Sequence, residues 1–218
     1  MPTLDLEIEL YRREISPVAG VDEAGRGPLA GPVVSAAVIL PSEVHASHSF
    51  PDWLESVDDS KKLTLRKREQ TYTLIQENAA AVGVGMASSW EIDAKGIVEA
   101  TRLSMNRAIQ GLPVKPSYLL VDYVVTKDFG VPFRTFPHGD SLCYSIAAAS
   151  IVAKVTRDRL MDDIDAIYPR YGFSHHKGYA TEKHLKSLAT HGPCPIHRFS
   201  FSPLRTAAGT GQGQNGEL

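Results

Sequence analysis

Residues 18–34 are Val-Ala-Gly-Val-Asp-Glu-Ala-Gly-Arg-Gly-Pro-Leu-Ala-Gly-Pro-Val-Val, and the rest of the chain can be placed relative to them. The apolar run at the start predicts a strand, which ends on two adjacent carboxylates, Asp22 and Glu23. A glycine-rich turn follows, and the β-branched residues 32–39 predict a second strand. The unit is therefore strand, acidic turn and strand, with two acids beside the turn.

The glycines of this turn, Gly25, Gly27 and Gly31, permit three interpretations. A dinucleotide-binding loop must open a helix that faces the phosphates, whereas here a strand follows and two carboxylates precede, so this interpretation fails. A plain hairpin would use the glycines only for positive φ. A metal site would use the two acids as ligands. From this stretch alone the last two interpretations stay open.

The bulk composition predicts one domain of ordinary size, because the chain has 218 residues and 43% hydrophobic content. No apolar run approaches about eighteen residues, and the N-terminus lacks the basic-then-apolar pattern of a secretion signal, so no membrane association is expected. Two distant cysteines without metal spacing, Cys143 and Cys194, favour a reducing cytoplasm. The net charge of −2 is not that of a strongly basic nucleic-acid binder, so local charge clusters matter more than the total.

The pattern along the remaining chain predicts alternating helices and strands. Helices are expected at residues 6–15, 65–78, 97–110, from 145 onward and at 182–190, and further strands at 80–88, 118–122 and 131–137. Thr64 and Thr181 are the predicted N-caps of two of these helices. The strand at 118–122 also ends on an acid, Asp122. Two strands that each end on an acid fit a site at the edge of an α/β sheet.

Asp140 precedes the long helix, where a carboxylate is favoured by the exposed amides. It is therefore either a helix cap or a ligand. Lys61 and Lys62 lie on the loop before the Thr64 cap, where they are either solvated or in contact with phosphate, and phosphate contact is favoured for Lys61. A zinc site at the histidines of residues 175–184 is disfavoured, because cysteine partners and the usual spacing are missing.

Four acids, Asp22, Glu23, Asp122 and Asp140, are candidates for one cluster. Crowded carboxylates raise one another's pKa and repel unless cations lie between them, and an all-oxygen set favours Mg²⁺ or Mn²⁺ over zinc. Neighbouring strand residues point to opposite faces. We therefore expect Glu23 to have left the strand for the turn, with Asp22 central to the site and Glu23 at its rim.

Several segments resemble the motifs of bacterial ribonuclease HII. They are Asp-Glu-Ala-Gly-Arg-Gly-Pro with Ala-Gly-Pro at 22–32, Asp-Ser-Lys-Lys-Leu-Thr at 59–64, Gly-Asp-Ser with the helix that follows at 139–158, His-Lys-Gly-Tyr-Ala-Thr at 176–181, and Ile-His-Arg-Phe-Ser-Phe-Ser-Pro at 196–203. The resemblance implies an α/β ribonuclease H-like fold, with a mixed central sheet of about five strands flanked by helices. It implies a catalytic domain over 1–174 and a small C-terminal helical segment over 175–205 that completes the substrate cleft. Residues 206–218 contain almost no apolar residues, and we expect a disordered tail.

The resemblance also implies an endonuclease that cleaves the RNA strand of RNA–DNA hybrids and cuts 5′ of single ribonucleotides in duplex DNA. Hydrolysis would use two Mg²⁺ or Mn²⁺ ions on the four acids and leave 5′-phosphate and 3′-hydroxyl ends. The turn Gly25, Arg26 and Gly27 would contact the ribose 2′-hydroxyl, and Tyr179 would pack on the neighbouring sugar. The expected roles are ribonucleotide excision and RNA primer removal, by a monomer.

The sequence departs from the family pattern at Tyr123, where glycine is usual, and at His138, where lysine is usual. Neither residue replaces a proposed ligand. Ribonuclease HIII, whose turn differs from Gly-Arg-Gly, ranks second as an interpretation. A non-catalytic nucleic-acid-binding module and a carboxylate-metal phosphatase for small molecules rank lower, because the first would not need four acids and the second would not need the basic loop or Tyr179.

Overall fold

The computed structural model describes residues 1–46, 50–122 and 128–205. Its five strands form one mixed sheet in the order β3-β2-β1-β4-β5. The strands are β1 (Val18–Ala24), β2 (Val33–Ile39), β3 (Ala81–Ala87), β4 (Tyr118–Asp122) and β5 (Phe133–Phe136). Strands β1, β2 and β3 are antiparallel neighbours, whereas β4 runs parallel to both β1 and β5. The expected α/β class and mixed five-stranded sheet are confirmed.

Eight α-helices surround this sheet in the described part of the chain. They are α1 (Asp5–Arg12), α2 (Glu43–Ala46), α3 (Leu65–Asn78), α4 (Ser89–Lys95), α5 (Ile97–Gln110), α6 (Tyr144–Ile167), α7 (Phe173–His176) and α8 (Glu182–His191). The predicted bounds of α3 and α5 are confirmed, and Thr64 and Thr181 cap α3 and α8 through their side chains. Each of these described helices is too short or too polar to cross a bilayer.

Three of the described α-helices were missed by the sequence prediction, namely the four-residue α2, α4 and α7. Helix α4 begins with a capping box, in which the Ser88 side chain accepts from the Glu91 amide and the Glu91 carboxylate accepts from the Ser88 amide. The pattern Ser-x-x-Glu was present in the sequence and could have predicted this start. Helix α7 is a single turn, too short to have a periodicity.

The sheet lies between two helical layers. Helices α6 and α3 pack on one face, where Ala36 and Val38 of β2 meet the small residues of α6. Helix α5 covers the other face, where Val21 and Val121 contact the layer around Met105. Helix α6 approaches β1 closely, because a Cβ on Gly20 would lie 2.1 Å from the Ser145 carbonyl carbon. This contact fixes α6 directly behind the end of β1 that carries the acids.

The N-terminus of α6 is capped from a distant helix. Its N-cap residue, Cys143, makes no side-chain cap hydrogen bond. Instead the buried Glu7 of α1 accepts from the Ser145 amide at 2.9 Å and from the Ser145 hydroxyl at 2.8 Å. Asp140 lies earlier, in a 3-10 turn at Gly139–Ser141, so the interpretation of Asp140 as the helix cap is wrong. The physical reason is that Asp140 lies three positions before the N-cap, Cys143.

The segment after α6 folds back onto the glycine turn. Tyr171, Phe173 and Cys194 form a small core with Ala30 and Met161. The Leu29 amide donates to the Gly178 carbonyl at 2.8 Å, and the Gly31 amide donates to the Ile196 carbonyl at 2.9 Å. The C-terminal segment is thus joined to the turn by main-chain hydrogen bonds. The tail predicted at 206–218 lies outside the described residues, as does Tyr123.

Candidate active site

Three carboxylates meet at one edge of the sheet. Oxygens of Asp22, Glu23 and Asp122 all lie within 4.8 Å of one another. Asp22 and Glu23 stand near the end of β1, and Asp122 ends the parallel neighbour β4, so strand pairing brings together residues a hundred positions apart. In the described ranges this is the one group of three or more acidic, histidine or cysteine ligand atoms close enough to hold a metal ion.

Glu23 does not leave the strand. It stays on the β1–β2 ladder opposite Ser35, and Ala24 still pairs with Val34, so the expectation of an early exit is wrong. The Glu23 carboxylate nevertheless lies in the same cluster as that of Asp22. Asp22 is only 3% exposed and the Glu23 side chain 9%, so Asp22 is the more deeply buried of the two.

The raised pKa values of these acids indicate that the described side chains do not fully neutralise their negative charge. Burial and then the neighbouring Glu23 and Asp122 raise the pKa of Asp22 well above its usual range. Burial raises the pKa of Glu23 to about 7, although Arg26 opposes the rise from 3.4 Å. The Glu23 Oε2 atom is buried and makes no hydrogen bond in the described chain. Crowded, buried oxygens of this kind fit a divalent cation with oxygen ligands.

Asp140 lies beside this group and not within it. Its carboxylate is buried and pairs with the Lys61 ammonium at 3.4 Å, while Asp122 accepts a hydrogen bond of 2.8 Å from the adjacent Gly139 amide. Burial raises the pKa of Asp140, and Lys61 opposes this. Asp140 thus lies at the edge of the cluster with Lys61 as its ion-pair partner.

The residues proposed to contact the substrate differ in where they lie relative to the acids. Gly25 has φ +93°, and a Cβ there would lie 2.0 Å from Arg157 Nε, so both backbone and space require glycine. Tyr179 is 45% exposed, and its Cε1 atom lies 3.8 Å from where a Cβ on Gly27 would be. Lys62 points to Asp58, 3.7 Å away, and not to the acids. The turn and Tyr179 thus lie side by side, on one wall of the expected substrate cleft.

His176, His184 and His197 are buried and hydrogen-bonded, whereas His175 is exposed. His176 Nε2 donates to the Tyr171 carbonyl at 2.9 Å, and His184 Nδ1 donates to the Tyr179 carbonyl at 2.9 Å. His197 Nε2 must then donate to His184 Nε2 at 3.1 Å, because a neutral His184 has only an acceptor left there. These bonds give no support to a zinc site.

A family model described as Ribonuclease HII matches residues 19–204, which include every acid of this site. The chain belongs to the ribonuclease HII family. The Ribonuclease HII of Geotalea daltonii is 52% identical over 188 residues, which cover 86% of this chain and 83% of that protein. As a member of this family, the chain is a ribonuclease H-type endonuclease.

Solved structures agree with the fold. The ribonuclease H2 of Pyrococcus horikoshii OT3 aligns with a TM-score of 0.72 and 26% identity, covering 88% of this chain and 97% of that one. Bst-RNase HIII in complex with Mn²⁺ aligns with a TM-score of 0.62 and 18% identity, covering 89% of this chain and 70% of that one. The second likeness concerns the fold alone.

Sequence reasoning missed residues that support the site of this ribonuclease HII family member. Ser150 of α6 opposes the rise in the pKa of Asp22, and its hydroxyl lies 3.0 Å from that of Ser60, in the loop of Lys61. Two buried arginines, Arg157 and Arg198, donate to carbonyls of the glycine turn and its continuation. Ser150, Arg157 and Arg198 could have been noticed in the sequence, because each is a polar or charged residue in a segment that is otherwise apolar or that matches a family motif.

Proposed function

We propose that this enzyme cuts duplex DNA on the 5′ side of an embedded ribonucleotide, cleaves the RNA strand of RNA–DNA hybrids, and thereby serves ribonucleotide excision and RNA primer removal. The observation that carries the proposal is the convergence of the Asp22, Glu23 and Asp122 oxygens beside a glycine turn in which Gly27 is exposed. Every proposed site residue comes from a single copy of the chain, so the site is complete without a second copy. We therefore propose that the enzyme acts as a monomer.

The acids would hold the metal ions. The donor set is all oxygen, one buried Glu23 oxygen has no partner, and the pKa of Asp22 is raised by its acidic neighbours, so Mg²⁺ or Mn²⁺ fits the site. We assign Asp140 to the same ligand set, with Lys61 as its partner when the site is free. When bound, two such ions would activate the attacking water and stabilise the leaving oxygen of an in-line displacement, leaving 5′-phosphate and 3′-hydroxyl ends.

The chain's own residues supply substrate selection. Backbone groups of Gly25, Arg26 and Gly27 would approach the ribose 2′-hydroxyl, because no side chain of the two glycines intervenes. Tyr179, on the same wall, would pack against the adjacent sugar and exclude a second hydroxyl. Residues 175–205 complete the cleft in this proposal, since they carry Tyr179 and bond to the turn.

Lysines would hold the phosphates. The Lys61 side chain is 78% exposed, so it can move from Asp140 to a phosphate at little cost. Lys62 is also largely exposed, and its pairing with Asp58 at 3.7 Å is weak enough to yield to the DNA backbone.

The test is cleavage of a 5′-labelled DNA duplex with one ribonucleotide, in Mg²⁺, in Mn²⁺ and in chelator. We expect one cut on the 5′ side of the ribonucleotide, dependent on metal. Asp22→Asn should lower the rate by roughly 10³-fold, since the site loses a central ligand worth several kcal/mol. Glu99→Gln, which removes an exposed acid of α5, is the matched control. Cleavage of long hybrids only would favour a ribonuclease HIII type of activity, and binding without cleavage would favour a non-catalytic module.

A further inference from the structure

Arg198 lies beneath the glycine turn and is fully buried. Its guanidinium donates to three main-chain carbonyls, those of Gly25 at 2.6 Å, Arg26 at 2.8 Å and Gly31 at 3.0 Å. In the described chain no carboxylate lies within ion-pair distance of it. Burial and the neighbouring Arg157 lower the pKa of Arg198 to about 9. A buried cation without an anionic partner is costly, so its retention here calls for a reason.

The carbonyls that Arg198 holds determine where two amides point. In a trans peptide the C=O of one residue and the N–H of the next are antiparallel within one plane. Because the Gly25 and Arg26 carbonyls point inward to Arg198, the amides of Arg26 and Gly27 point outward. Gly27 is exposed, and neither amide has a hydrogen-bond acceptor among the described residues. Two adjacent free donors therefore face the cleft on the side of Tyr179.

The second buried arginine makes different contacts. Arg157 donates to the carbonyls of Pro32 and Ala30 and to that of Lys177. It joins the far side of the turn to the segment that leads to Tyr179, and it holds neither the Gly25 nor the Arg26 carbonyl. Of the two buried arginines, only Arg198 therefore holds the peptide groups that carry the two outward amides.

We propose that Arg198 is a positioning residue for ribose selection, which holds the Arg26 and Gly27 amides in place to donate to a 2′-hydroxyl oxygen. The proposal rests on the proposed function of the turn and adds to it the residue that orients the turn. A deoxyribose offers no acceptor at that position, so loss of Arg198 should weaken the preference for a ribonucleotide more than it weakens binding to DNA in general.

The test compares the binding of two duplexes of one sequence, one all-DNA and one with a single ribonucleotide. The parent is Asp22→Asn, in which cleavage is slow enough for binding to be measured first, and dissociation constants are measured by fluorescence anisotropy at fixed salt and Mg²⁺. We expect Arg198→Met to lower the ratio of the two affinities by roughly tenfold, as the loss of two oriented hydrogen bonds implies. Arg198→Lys, which keeps the charge but cannot reach all three carbonyls at once, should give an intermediate ratio.

Ile92→Ala is the control for lost stability, because Ile92 is fully buried in a cluster that contains no residue of the turn. Melting temperatures of all variants are measured alongside. Arg198 variants that are folded and keep the parent's ratio, or that lose affinity equally for both duplexes, would overturn the proposal. Should Arg198→Met fail to fold, the Lys variant decides by the same criterion. A parent with no preference for the ribonucleotide, together with a wild type that does not cut, would instead overturn the proposed function.

Discussion

Acidification should unfold this protein partly through His197. This imidazole is 1% exposed, its Nδ1 accepts from the Cys194 amide at 2.9 Å, and its Nε2 faces His184 at 3.1 Å. A proton added to His184 at Nε2 would point an N–H at the Nε2–H of His197. A proton added to His197 at Nδ1 would point an N–H at the Cys194 amide. Burial, the largest cause, lowers the pKa of His197 from 6.5 to about 4.

The sign follows from proton uptake. Between pH 6.5 and 4 the unfolded chain binds a proton at His197 that the folded chain does not, so stability rises with pH in this window. The stabilisation is complete above pH 6.5 and is lost as the pH falls towards 4. The shift corresponds to roughly 3 kcal/mol in total and about 2 kcal/mol between pH 7 and pH 5. For a chain of this size, 2 kcal/mol moves the melting temperature by roughly 4–8 °C.

The assay is urea unfolding of the wild type and of His197→Gln at pH 7, 6 and 5, at one ionic strength. The variant lacks the titrating group, so its free energy of unfolding should fall by about 2 kcal/mol less than that of the wild type over this range. His175→Gln, which replaces an exposed histidine of the same segment, controls for the loss of any histidine. The raised pKa values of the acidic site are common to all three proteins and cancel in the comparison. Parallel curves for the wild type and His197→Gln would refute the reasoning.

Three further outcomes are expected. Gly20→Ala should cost at least about 3 kcal/mol or prevent folding, because its Cβ would lie 2.1 Å from the Ser145 backbone; a normal melting curve would contradict this. Thr64→Ala should lower the free energy of unfolding by about 1 kcal/mol, because the Lys67 amide loses its cap, whereas Thr64→Ser should restore it. Lys61→Met should reduce the salt dependence of duplex binding by about one counterion, and an unchanged slope would exclude a phosphate contact.

The sequence predicted most of the fold because the relevant signals are local. Helices α3 and α5 have the expected bounds, and threonine caps and apolar periodicity act within a few residues of one another. The same holds for the strand, glycine turn and strand of residues 18–34. The candidate acids could be selected as well, because Asp22 and Asp122 each stand near the end of an apolar run.

The tertiary structure decided which of these groups meet. Pairing of β1 with β4 places Asp122 against Asp22 and Glu23. Asp140 lies beside this group and forms an ion pair with Lys61. Glu23 keeps its ladder partner and still reaches the cluster, which the alternation of strand faces could not predict.

Local rules by themselves determined the elements, the turn and the kinds of side chain available for chemistry. Only the tertiary structure decided the support of the site. Arg198 holds a carbonyl of the turn 173 positions earlier in the chain, and Glu7 caps a helix that begins well over a hundred residues later. The physical reason is that a buried charge needs partners from every side, and chain segments far apart in sequence provide them only once they have packed.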